Sequence, residues 1–139
     1  MAKRTTPWTD QTMNPVEVQE RLDEFVSRVQ YMVNHYWERM NFTHSDPNTI
    51  YAEYGKKYAR IVSDDRDANG AGQRFVHSFV NMTNGDILKA GGWKAPAPNP
   101  VRGNIFEDDF GAHCVNEHGT VYLKRWKFTI ALAINATSV

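Results

Sequence analysis

Trp93, Lys94, Arg102 and Asn104 share one glycine- and proline-punctuated stretch of the chain. A loop that only joins strands needs turn residues; it does not need a tryptophan flanked by cations. An aromatic plane, fixed positive charge and an amide on a stiffened loop suit a ligand with a flat base and phosphates. Arg102 can hold a phosphate bidentately, and Lys94 supplies a point charge. Asn104, or Asn84 upstream, can read a base edge through its amide. Phe75, on a predicted strand, can stack on a base at the strand end. Pro96, Pro98 and Pro100 reduce the conformational entropy lost when such a loop is fixed.

Other chemistry finds less support. His113, Cys114 and His118 are metal-ligating types, but their spacing matches no zinc set and no second cysteine exists. Cys114 as a nucleophile would require a lowered pKa and an orienting base. Asp64, Asp65, Asp67, Asp86, Glu107, Asp108 and Asp109 form no recognisable acid–base pair. Phosphate-binding glycine loops, nucleophile elbows, metalloprotease pairs and deaminase signatures are all missing from the sequence. The reading is therefore a binding protein rather than an enzyme, with no catalytic residues, no metal and no cofactor. His77, between Phe75 and Phe79, reads as a half-buried structural histidine.

The elements that must position the loop follow from periodicity. Asn14-Pro15-Val16-Glu17 opens a helix, with Asn14 as cap, Pro15 at the first turn and Glu17 able to complete a capping box. Apolar residues then recur from Val18 to Met40 at helical spacing, with a break allowed between Asn34 and Met40. Its wide stripe predicts core packing and also allows a contact between subunits. Residues 57–65, 73–81 and 86–90 are expected to form a three-stranded meander, turned at Thr83-Asn84-Gly85. Strict alternation on the second strand would put Phe75, His77 and Phe79 on one face. Gly119–Lys124 is a further strand candidate, and the tail around Phe128, Ile130, Leu132 and Ile134 alternates like a strand. Residues 1–13 show no periodicity and read as a mobile N-terminal arm. Residues 14–139 read as a single α+β ligand-binding domain: one long helix packed on a small antiparallel sheet.

Composition narrows the partners. The 139 residues carry 16 basic and 16 acidic side chains, a net charge of zero. That argues against a whole-surface footprint for nucleic acid or an anionic membrane, and no apolar run could span a bilayer. One cysteine, Cys114, excludes an intrachain disulfide and suits a reducing, cytoplasmic setting.

Several pieces occur in a specific order: Tyr54-Gly55-Lys56-Lys57-Tyr58-Ala59 with Ile61-Val62, then Phe79-Val80, then Asn84-Gly85-Asp86-Ile87-Leu88-Lys89-Ala90. Trp93-Lys94-Ala95-Pro96-Ala97, Arg102-Gly103-Asn104-Ile105-Phe106 and Val121-Tyr122-Leu123 continue the series. Together they resemble the Thoeris anti-defence sponges, a phage protein family. The resemblance implies a protein that binds cyclic ADP-ribose isomers made by a bacterial TIR-domain defence enzyme, and in some members cyclic oligonucleotides, without cleaving them. It implies a homo-oligomer, dimer or hexamer, working in the cytoplasm of the infected host, with ligand between subunits. Arg102 matches the family's phosphate-binding arginine motif, and Asn84 and Phe75 match adenine contacts more loosely. Trp93 and Lys94 match the motif, while their ligand role comes from the residue chemistry above. A sponge must outcompete a receptor, which requires about nanomolar binding. The alternative reading is a phage structural or single-stranded nucleic-acid-binding interaction protein, because stacking platforms with cations serve that too.

Overall fold

In the computed structural model, the described residues are 14–98 and 100–121. The expected arm, 1–13, and the expected tail strand lie outside them. The architecture is α+β, with one helix against an antiparallel sheet.

Helix α1 spans Pro15–Met40 without a break. Asn14 caps it, its side chain accepting the Val16 N–H at 2.9 Å. Asn41 ends it in the left-handed region at φ 57°, where its N–H and that of Phe42 satisfy the last-turn carbonyls. Val18, Leu22, Phe25, Val29 and Val33 recur every three or four residues and are all buried. This narrow stripe is spent on the sheet, and Val16, Tyr31 and Met40 stay exposed.

The main sheet has five strands in sequence order: β1 (Thr49–Tyr54), β2 (Tyr58–Asp64), β3 (Arg74–Asn81), β4 (Asp86–Leu88) and β5 (Gly103–Asn104). Two of these extend the expected meander. β1 carries no clear strand signal in the sequence because its polar and apolar residues alternate only weakly. β5 is too short for periodicity to reveal. Beyond the sheet, a three-residue 3₁₀ turn (Ala112–Cys114) leads into a small hairpin of β6 (Val115–Asn116) and β7 (Gly119–Thr120).

Strand pairing assigns the faces. Ile50, Ala59, Ile61, Val80 and Ile87 share the core cluster with the α1 stripe, and Ile105 and Val115 join it from the following segment. Tyr51, Glu53, Tyr58, Arg60, Val62 and Asp64 alternate with these and face away from α1. The expected alternation of β3 is corrected by a bulge. Ile61 pairs with Ser78 but Val62 pairs with Val76, leaving His77 as the extra residue. Arg74, Val76 and Phe79 therefore share the outer face, while Phe75 and Ser78 lie on the helix side with their partners Ser63 and Ile61.

Candidate anion-binding cleft on the outer face of the sheet

The loop after β4 does not wander. Ala90 bridges Pro96, Gly91 N–H donates to Ala95 O at 3.0 Å, and Ala97 N–H donates to Lys89 O at 2.8 Å. This folds 91–95 into a tight return and carries Trp93 to the outer face. There the guanidinium carbons of Arg60 and Arg74 each lie 4.6 Å from the Trp93 ring centroid. Arg60 Nε also donates to Trp93 O at 2.7 Å.

Glu53 joins the two arginines. Arg60 Nη1 meets one of its carboxylate oxygens at 2.9 Å and Arg74 Nη1 the other at 2.6 Å. The Arg74 hydrogen bond, with a smaller contribution from Arg60, holds the Glu53 carboxyl below its ordinary range despite some desolvation. The chain of contacts continues through Tyr51, whose hydroxyl accepts from Arg74 at 3.3 Å and donates to Asp64 at 2.9 Å. Arg66 then grips Asp64 with Nε and Nη2, holding that carboxyl well below the usual carboxylate range. Trp93 is thus the lid of a polar ladder that ties β1, β2, β3 and the loop together.

Beside this ladder the structure brings Lys94 to the β1–β2 hairpin. A cleft of about 380 Å³ is lined by Lys94, Lys56, Lys57, Arg60, Tyr58 and Phe79, with Glu53 at its edge. Tyr58 and Phe79 meet edge to face at 6.3 Å, and Lys57 Nζ lies 5.4 Å from the Tyr58 ring. Among the described residues none of the three lysines has a carboxylate partner. Glu53, the one acid here, is already neutralised by Arg60 and Arg74. Three uncompensated ammonium groups around an aromatic floor make an electropositive concavity suited to phosphate beside a planar group. Lys56 and Lys57 are site residues that sequence reasoning misses. Their signal was a lysine pair flanked by tyrosines across a short hairpin.

The other expected site residues go elsewhere. Asn104 is fully buried. Its amide donates to Asn84 O and to an Asp86 carboxylate oxygen, both at 2.9 Å, and its carbonyl accepts from Phe106 N–H at 2.7 Å. Asn84 accepts the Asp86 N–H at 2.9 Å. Both asparagines brace the β4–β5 corner: Asn104 has both amide N–H groups engaged inside it, and half-buried Asn84 uses its side-chain oxygen there. Arg102 follows the proline loop; its Nη1 donates to Val121 O at 2.8 Å, and its buried Nε has no hydrogen-bond partner among the described residues. It does not line the lysine cleft. Phe75 sits at the far end of β3 on the helix side, 48 % exposed. The structure therefore unites Trp93 and Lys94 and separates them from Arg102, Asn104, Asn84 and Phe75.

His77 is buried between the sheet and the β6–β7 hairpin. Its Nε2 must carry the proton, because the Asn116 carbonyl 2.8 Å away can only accept; Nδ1 then accepts from Ser78 Oγ at 2.9 Å. Burial pushes its pKa down to about 4, so the ring is neutral at physiological pH. Burial likewise pushes the Cys114 thiol up to about 12, and Sγ donates to Gly111 O. That is a packed, protonated thiol, not an activated nucleophile. His113 groups with Glu107 and Asp109, their ligand atoms within 4.8 Å, and not with Cys114 and His118. Both carboxylates already accept backbone N–H groups from Asn104, Gly111 and His113.

Among the described residues no helix is long and apolar enough to cross a membrane. The chain belongs to DUF7717, a family of unknown function, whose model matches residues 7–122. No curated protein and no solved structure matches it.

Proposed function

We propose that this DUF7717 protein captures a small phosphate-bearing cyclic nucleotide and holds it intact. One observation carries the reading: Lys94, beside the clamped Trp93, meets Lys56 and Lys57 over the Tyr58–Phe79 floor. The Lys56–Tyr58 hairpin, Phe79 and the Trp93–Lys94 pair are far apart in sequence, and the fold assembles them into one cationic concavity. The Tyr54–Ala59 and Trp93–Ala97 segments, both part of the resemblance to the Thoeris sponges, supply most of its walls. On that basis the ligand is a cyclic ADP-ribose isomer or a cyclic oligonucleotide, and the role is phage anti-defence in the cytoplasm of the infected host.

The cleft is open on one side, and a small ligand reaches tight affinity only when enclosed. A second subunit closing over the lysines would complete it, so the working form is a homo-oligomer, dimer or hexamer. Light scattering at the 15.9 kDa monomer mass with ligand bound would rule that part out.

The test is direct. The purified protein is incubated with cyclic ADP-ribose isomers and with cyclic dinucleotides, washed, heat-denatured, and the released small molecules are weighed by mass spectrometry. Recovery of intact ligand is expected. A linear product would make the protein an enzyme, and no recovery of any anion would remove the reading. Retention of single-stranded oligonucleotides in place of cyclic ligands would favour the nucleic-acid alternative.

A further inference from the structure

A second concavity lies at the opposite end of β2 and on the opposite face of the sheet, where the layer between α1 and the strands is unfilled. It measures about 420 Å³, within the range of small-molecule sites. Tyr36 and Trp37 of α1 form one wall, Phe75 of β3 another, and Glu117 and His118 of the β6–β7 turn close the end.

Two features set it apart from a packing defect. Phe75 is on the core side of β3, where Ser78 and Val80 are completely buried, yet it is 48 % exposed. No ring stacks on it among the described residues. Glu117 is the reverse case. Its side chain is only 19 % exposed, but no hydrogen bond reaches its carboxylate from the described residues. Arg39 Nη2 stands off at 3.7 Å and His118 Nε2 at 3.5 Å. A largely buried carboxylate normally gathers close donors, because desolvating it without them is costly. Here the two nearby groups, Arg39 and His118, stop short of hydrogen-bond distance, and aromatic faces stand beside the gap.

We propose that this cleft binds a planar organic cation of the amidinium or guanidinium class. Paired N–H donors would meet the Glu117 carboxylate, and the flat body would lie against Phe75 and Trp37. Arg39 already shows the preference locally, its guanidinium 5.3 Å from the Tyr36 ring on the rim. Bidentate N–H pairs match a carboxylate better than a single ammonium does. This site is independent of the lysine cleft, which selects the opposite charge.

Benzamidine and its neutral isostere benzamide serve as probes in titration calorimetry with the full-length protein. Benzamidine is expected to bind in the millimolar range or tighter, at least about tenfold better than benzamide. Glu117→Gln should remove that difference, and Phe75→Ala should weaken benzamidine about tenfold, both with unchanged melting temperature. Neither replacement touches Lys56, Lys57 or Lys94, so capture of the anionic ligand should persist. Equal binding of the two probes, no heat with benzamidine at about 10 mM, or an unchanged preference in Glu117→Gln would overturn the proposal.

Discussion

Arg60 holds Trp93 twice: its guanidinium carbon stands 4.6 Å from the indole centroid, and its Nε donates to the Trp93 carbonyl at 2.7 Å. Backbone and ring of one loop residue are thereby fixed to one strand residue. Arg74 covers the ring at the same distance, and Glu53 locks both arginines. Lys94 is the next residue, so its position over the cleft depends on this clamp.

Trp93→Ala should therefore destabilise the fold by about 1–2 kcal/mol, from two cation–π contacts at a partly exposed site and the buried ring area. Trp93→Phe should recover roughly half of the loss. Urea unfolding followed by circular dichroism checks this; a midpoint unchanged in Trp93→Ala would show that the ring is not clamped in solution.

Removal of the lysines should separate binding from folding. Lys94→Ala, and the pair Lys56→Ala with Lys57→Ala, should each weaken capture of the cyclic nucleotide by about tenfold or more, with losses that shrink at high salt. Melting temperatures should stay within about 2 °C, because none of the three has an ion-pair partner among the described residues. Calorimetric affinities equal to wild type would move the site elsewhere.

Acid should weaken the fold through His77. In the unfolded chain this imidazole takes up a proton near its ordinary pKa of 6.5, whereas in the folded chain it resists until about 4. Between these values the unfolded state binds more protons, so stability is full above about pH 6.5 and falls as pH drops toward 4. The loss reaches on the order of 3 kcal/mol for this group. His77→Gln should flatten that part of the stability–pH curve, although it lowers stability at neutral pH. An equal slope between pH 6.5 and 4 in both proteins would contradict the assignment.

Arg102→Ala distinguishes a brace from a ligand contact. Its Nη1 bond to Val121 O predicts a stability loss of about 1 kcal/mol, partly offset because truncation also removes the buried Nε that finds no partner among the described residues. Anion capture by the lysine cleft should survive within about threefold. The opposite pattern, with melting temperature intact and capture abolished, would return Arg102 to the ligand, as the resemblance to the sponges implies.

Asn14-Pro15, the Val18–Val33 stripe and the Asn84-Gly85 turn could be read in the sequence because each is a local signal. A cap needs its own next two residues, a helix face repeats every three or four, and a turn needs a residue that accepts positive φ, as Gly85 does at 84°. The Trp93–Lys94 pair was equally visible as residue chemistry. What the sequence could not show depended on long-range pairing. β5 is two residues whose strand character comes only from β4 alongside it. The bulge at His77 exists because β2 and β3 shift register, and it moved Phe75 away from Phe79. Asn104 has the composition of a ligand-reading amide, but burial between Asn84 and Asp86 engages both its side-chain N–H donors and its carbonyl oxygen within the fold. Lys56 and Lys57 joined Lys94 only because the loop after β4 folds back across the sheet, and no spacing along the chain encodes that meeting.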